Sequence, residues 1–390
     1  MGANAHDSGG DLVTGDTLVP AGMNRAWLIT QPSAEAGALE TLPETAGLIV
    51  MTRDELAASN VGFDNGQRVA ITSEAAMDVV LSRLDPVRRH AIHTLKDKLA
   101  FRKLLRPIYP DFTFASVATQ DLRTLRLDPS QVYVIKPARG AFGAGVRTIR
   151  GDADLTRLQD EIVAEMERNA AVLSQTALSS ERLVVEQYIT GEEYAADVFF
   201  DQDGEPVLTS TYHHPMPANP AYLHMLYYTS PRVWDLVAPQ ATDFFRALNT
   251  RLGVTNVAMH AEFRLHQGQL VPIEINALRF GGMGLGNMAH YALGINPYRH
   301  FIDGTRPDET QLVRDSRAAV FFIAYNGATV DTATHRPDWA RLRTRFTEII
   351  LEVPFDYRVQ LAFGILYARE PEERISELLS IEFDDMFVAG

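Results

Sequence analysis

Two carboxylates and an amide are spaced so that they could hold a cation. Glu274 and Asn276 sit two residues apart in QLVPIEIN, a segment of strand character, so their side chains share one face. Glu262 lies in VAMHAEFRL, across a turn at 266–268, and an antiparallel hairpin would bring it opposite them. All three offer hard oxygen ligands, which suit magnesium when phosphate oxygens and waters complete its shell. Their apolar neighbours place these charges within or at the edge of a core, where unpaired carboxylates are costly. A solvated hairpin face is the competing reading.

A second set is basic. Lys136 ends the apolar segment QVYVIK and is followed by PARGAFGAG. Glycines let backbone N–H groups approach phosphate oxygens, and lysine adds a point charge. The lysine comes first and a strand follows, so the pattern is neither a P-loop nor a dinucleotide turn, and an ordinary hairpin explains it as well. The sequence holds only four lysines, Lys96, Lys98, Lys103 and Lys136, which gives more weight to one placed before a glycine loop. Glu186, with the backbone of residues 187–189, could meet an adenine edge, and Glu193 could take ribose hydroxyls. Taken alone, each reads more readily as a surface acid. The aromatic and histidine-rich stretch 211–232 is either a packed connection or the wall of a substrate pocket. The run RFGGMGLGN could fold its backbone around a carboxylate.

These residues need strands and turns to position them. Short apolar strands are expected at 26–30, 46–51 and 68–71, alternating with helical patterns, which describes a small parallel α/β unit. Residues 86–106 read as one basic helical stretch. Strands follow at 131–136, 146–149, 183–187 and 194–200, with an amphipathic helix over 152–169. The turn DQDG at 201–204 leads into a strand at 206–211, residues 239–251 read as a helix, and the metal-type hairpin spans 257–276. The tail carries an apolar strand at 318–325 and shows no chemistry of its own.

Composition sets the outer limits. With 390 residues, 46% of them hydrophobic, the chain can bury more than one core. A formal charge of -14 argues against nonspecific nucleic acid binding. There is no cysteine, which excludes disulfides, thiolate nucleophiles and Cys-ligated zinc or iron–sulfur sites. No apolar run approaches the roughly 20 residues that span a bilayer. Residues 1–22 read as a polar, glycine-rich disordered lead rather than a signal peptide, and the expected location is cytoplasmic.

In order along the chain, the basic helix with DK, strand-KPARGAFGAG-strand, VVEQYITGEEYAAD, and MHAEF followed by PIEINALRFGGMG resemble the ATP-grasp superfamily, specifically its carboxylate–amine (amino-acid) ligases. The resemblance covers residues 94–304. It implies an α+β chain, an ATP-grasp fold with a small N-terminal α/β (pre-ATP-grasp) domain. The expected divisions are 23–93 for that domain, 94–195 for the small subdomain and linker helix, 196–310 for the core with the metal site, and 311–390 for a C-terminal extension packed on it. The implied cofactors are ATP and magnesium, with manganese an acceptable substitute. Lys98, Lys136 and Gly143 would contact the phosphates, with Lys136 also close to adenine. Glu186, Gln187 and Ile189 would meet the base and Glu193 the ribose. Glu262, Glu274 and Asn276 would hold the metal. Arg279 and Lys136 would act on the transferring phosphoryl group, with His260 near the γ-phosphate. His213, Tyr227, Tyr228, Arg232, Gly281 and Gly282 would line the substrate pocket. Many relatives carry a further phosphate-site lysine that this sequence lacks, so His213, His214 or Arg232 would have to replace it, or the contact is missing. The implied reaction joins a small carboxylate to an amine, with neither nucleic acid nor membrane as partner, in a homodimer. A carboxylate–thiol ligase, a small-molecule kinase and a non-catalytic ATP-binding protein share the same motifs.

Overall fold

The first strand, β1 (Ala26–Thr30), is buried at every position, as befits the middle of a parallel sheet. It runs between β2 (Leu48–Thr52) and β3 (Arg68–Ile71), the small α/β unit the sequence predicts. The computed structural model describes residues 26–30, 42, 47–139, 145–170, 179–312 and 315–390. The expected lead and Gly143 lie outside them.

Helices α1 (Arg53–Ala58), α2 (Met77–Arg83), α3 (Pro86–Lys96) and α4 (Lys98–Leu105) follow. The single basic helix expected over 86–106 is in fact two. Asp97 ends α3 and caps α4, its side chain accepting from the Ala100 N–H, which satisfies a donor the new helix would otherwise leave open. The break separates two lysines. Lys96 is directed to Asn276, and Lys98 lies near enough to Lys136 for its charge to act there.

A four-stranded antiparallel sheet comes next, from β4 (Phe114–Ala118), β5 (Val132–Arg139), β6 (Arg147–Arg150) and β7 (Ser179–Gln187), in the order β4-β7-β5-β6. Helix α5 (Leu155–Ala170) lies between β6 and β7 in sequence, and its Leu158 and Ile162 join Val117, Ile135 and Val185 in one core.

The larger sheet has eight strands. Four are β8 (Glu193–Phe200), β9 (Pro206–His214), β10 (Leu226–Thr229) and β11 (Val257–His266). The others in it are β12 (Gln269–Ala277), β13 (Ala318–Tyr325), β15 (Glu348–Pro354) and β16 (Ala362–Glu370). Their order is β12-β11-β8-β9-β10-β13-β16-β15, so strands of the C-terminal segment continue the sheet edge to edge. A small pair, β14 (His335–Pro337) and β17 (Phe387–Ala389), closes the tail.

One face of the large sheet is covered by α6 (Pro231–Leu252), whose Val237, Ala241, Phe245 and Leu248 pack with Ala196, Val198, Met259 and Phe263. This helix starts eight residues before the expected one. Ser230 caps it, Pro231 takes its first turn, and Pro239 sits inside. An interior proline costs about 3 kcal/mol, and eight buried side chains along the helix outweigh it. The opposite face carries the charged residues. Two short helices, α7 (Met288–Leu293) and α8 (Pro297–Asp303), follow the glycine-rich run.

Candidate active site

Alternation along β11 and β12 puts the predicted ligands on one face. Glu262 stands directly opposite Glu274, and His260 opposite Asn276. Pro272 breaks no ladder bond that matters, because β12 is an edge strand and the register shifts there. Burial and the facing Glu274 push the Glu262 carboxyl up to about 7, only partly offset by His260 and Arg279. Its side chain is still 29% exposed, so a cation from solvent can reach it. Two carboxylates with one amide oxygen suit magnesium or manganese in donor chemistry, and their mutual repulsion is the strain a bound cation would relieve. Among the described residues no group of three or more His, Cys, Asp or Glu side chains is gathered as a metal site.

The Asn276 Oδ1 accepts from Lys96 Nζ at 3.3 Å. Lys96 in turn pairs with Glu74 at 3.1 Å, and Glu74 also takes Arg279 Nη2 at 3.0 Å. Burial would raise the Glu74 carboxyl, but Lys96 and Arg279 hold it below the usual value. Arg279 follows Leu278, whose φ of 67 turns the chain sharply. That turn brings the guanidinium back to Glu74, near enough for its charge to act on Glu262.

The second cluster lies between α4, β5 and β7. Glu186 is buried and accepts from Arg102 Nε at 2.8 Å, Arg102 Nη2 at 3.0 Å and Lys136 Nζ at 2.8 Å. Burial alone would raise its pKa, yet the two cations lower it. Burial lowers Lys136 in turn, and Glu186 offsets this only in part. Arg102 also donates to the Pro272 carbonyl, tying α4 to the edge of the large sheet. Nearby, Glu193 accepts from His214 at 2.7 Å and from Arg264 at 3.1 Å, contacts that outweigh its burial and hold its carboxyl low.

A family model for the ATP-grasp domain matches residues 130–287. Residues 130–287 are thus an ATP-grasp domain. No curated protein sequence matches it significantly. The chain overlays an L-amino acid ligase from Bacillus licheniformis with a TM-score of 0.66 and 16% identity, covering 94% of this chain and 98% of that one. An N5-carboxyaminoimidazole ribonucleotide synthetase from Thermotoga maritima gives 0.61 and 12%, over 94% and 99%. A biotin carboxylase from Campylobacter jejuni gives 0.60 and 11%, over 94% and 92%. The fold is therefore that of an ATP-grasp catalytic domain behind a pre-ATP-grasp α/β region, extended by C-terminal strands.

The ATP-grasp fold gathers most of the predicted residues and scatters others. Lys98, Lys136, Glu186 and Glu193 surround the small sheet and its junction with the large one, whereas Gly143 is outside the described residues. The Gln187 N–H is committed to the Thr113 carbonyl, which leaves only its own carbonyl and Ile189 for a base. The expected substrate wall is split by strand alternation. Tyr227 faces the carboxylates and stacks on His214 at 4.0 Å. His213 and Tyr228 point to the other face, bonded to each other at 2.8 Å, with Tyr228 and Arg232 both on Glu372. The three replacements considered for the missing lysine are thus engaged elsewhere. His213 and Arg232 lie off the site, and His214 has both ring nitrogens on acceptors, Glu193 and the Leu223 carbonyl. The Gly281 N–H is also taken, by Asp197, while Gly282 packs against the Arg279 guanidinium. Sequence reasoning missed Glu74, Lys96, Arg102 and Asp197. Asp197 left a trace, as an acid in an apolar strand four residues from Glu193 and hence on its face, and Lys96 another, as one of only four lysines.

Proposed function

We propose that this chain is an ATP-dependent ligase that joins a carboxylate to an amine, forming an amide or peptide bond through an acyl phosphate and releasing ADP and phosphate. The observation that carries this reading is the Glu262–Glu274 pair with Asn276, short of positive charge and beside Arg279. The full-length overlay on an L-amino acid ligase supports the choice of amine.

Glu262, Glu274 and Asn276 would hold magnesium, which when bound neutralises charge on the terminal phosphates of ATP. Lys98 and Lys136 would fix those phosphates, with Gly143 as a further phosphate contact. Glu186 would accept from the adenine amino group, kept ionised by Arg102 and Lys136, with Gln187 and Ile189 at the base edge. Glu193 would accept from ribose hydroxyls. Arg279, oriented by Glu74, would neutralise the substrate carboxylate as its oxygen attacks the terminal phosphorus and the bond to ADP breaks. His260 presents Nε2 toward Glu262 at 3.9 Å and would help orient the phosphoryl oxygens. Tyr227 would wall the acceptor side, where the amine attacks the acyl carbon and phosphate departs. No protein nucleophile is needed, in keeping with a sequence that has no cysteine.

The test is incubation with magnesium ATP and pooled amino acids and small carboxylates, with nucleotides read by chromatography and adducts by mass spectrometry. ADP with an amide-linked adduct is expected. AMP would overturn the acyl-phosphate route, a thioester product would move the reading to a thiol ligase, and a stable phosphorylated product to a kinase.

A further inference from the structure

The loop over 279–287 is fastened from two sides. The Gly281 N–H donates to Asp197 Oδ1 at 2.9 Å, and the Gly284 carbonyl accepts from the Tyr367 hydroxyl at 2.9 Å. Asp197 lies on β8 and is fully buried. Its carboxylate also accepts from the Tyr212 hydroxyl at 2.6 Å and bonds His260 Nδ1 at 2.8 Å. A buried carboxylate with three partners is a stiff anchor, because losing any one leaves a polar group unsatisfied. Tyr367 comes from β16, far along the chain, and is itself buried.

The loop backbone needs such anchors. Leu278 and Met283 have φ of 67 and 54, and side-chain-bearing residues hold that left-handed region only when their surroundings insist on it. Gly284 has φ of 89, and a Cβ there would stand 2.6 Å from the Tyr367 hydroxyl. Glycine at 284 thus serves both the turn and the approach of the tyrosine.

We propose that Asp197 and Tyr367 are positioning residues that clamp the 279–287 loop, and through Asp197 also His260, against the paired carboxylates. The C-terminal strands are then a working part of the site rather than a buttress. The catalytic half of this proposal rests on the ligase reading, while the clamp itself does not.

The experiment uses the full chain and the variants Tyr367→Phe and Asp197→Asn. Amide hydrogen exchange is read by mass spectrometry over 279–287, and MgADP affinity by calorimetry. ADP release is measured with magnesium ATP and an equimolar pool of the twenty proteinogenic L-amino acids. In Tyr367→Phe, loop exchange should rise about tenfold with β11 and β12 unchanged, and kcat should fall about tenfold at MgADP affinity within twofold of wild type. Asp197→Asn should move both readouts further, since it also loosens His260. Wild-type loop exchange in both variants overturns the clamp. Faster loop exchange with wild-type kcat overturns its catalytic role. Should Asp197→Asn fail to fold, Tyr367→Phe, which removes one hydroxyl, decides alone. If the wild type releases no ADP with the pool, the ligase reading fails while the exchange comparison still judges the clamp.

Discussion

Two clusters of charge, one buried and one half-buried, stand close together in this protein and are balanced in opposite ways. Between α4, β5 and β7, one carboxylate, Glu186, is met at 2.8 Å by each of two cations, Lys136 and Arg102. On β11 and β12, Glu262 faces another carboxylate, and among the described residues its nearest basic atom is His260 Nε2 at 3.9 Å. The first cluster satisfies itself on folding, so the chain alone builds it. The second is left short of positive charge, the deficit that the proposed cation would fill. A buried charge set that balances itself speaks of preorganisation, and one that does not speaks of a ligand.

Glu262→Gln should divide the clusters most sharply. Turnover should fall on the order of 10³-fold, while the metal-free melting temperature holds or rises because the facing charges no longer repel. A clear drop in metal-free melting temperature would instead make Glu262 a structural residue. Glu186→Gln should do the reverse, leaving two buried cations short of a partner and costing about 3 kcal/mol in denaturant unfolding. A loss below about 1 kcal/mol would break the comparison.

The pH dependence of stability in EDTA sharpens it. Folding raises the Glu262 carboxyl from 4.5 to about 7, so the folded chain holds a proton the unfolded one has lost. Metal-free stability should therefore fall as pH climbs from about 4.5 toward about 7, and Glu262→Gln should flatten that slope. Glu186 has the opposite sign. Its lowered pKa adds stability above 4.5 that is lost as pH falls below that value. Urea midpoints across this range would separate the two, and a flat wild-type profile above 4.5 would count against the strained pair.

Smaller effects bound the site. Glu74→Gln should loosen Arg279 and Lys96 and slow ADP release about tenfold, and unchanged kinetics would remove the N-terminal unit from the chemistry. Arg232→Ala, on the opposite face, should leave turnover unchanged and stability within about 0.5 kcal/mol, because the Arg232 side chain is exposed. Lost activity there would restore the wider substrate wall that strand alternation divides.

Much of the site was legible in the sequence. Strand alternation predicted that Glu274 and Asn276 share a face, the turn at 266–268 predicted that Glu262 meets them, and the register bears out both. Other residues were hidden by distance along the chain. Arg102 and Glu186 are 84 residues apart, Lys96 and Asn276 180, and Arg279 and Glu74 205. No local pattern connects such pairs. The split at Asp97 was missed because a capping aspartate inside a basic run looks like one more charged position. The early start of α6 was missed because Pro239 looked like a first-turn proline, a place that Pro231 fills.

By itself, then, the sequence determined the elements that nearest-neighbour geometry controls. These are the alternating strands, the hairpin turns, the glycine-bearing loops and the pair of acids that must share a face. Only the tertiary structure decided which charges neutralise one another and which are left facing a like charge. Backbone periodicity depends on a few adjacent residues. The state of a buried charge depends on every group the fold packs around it.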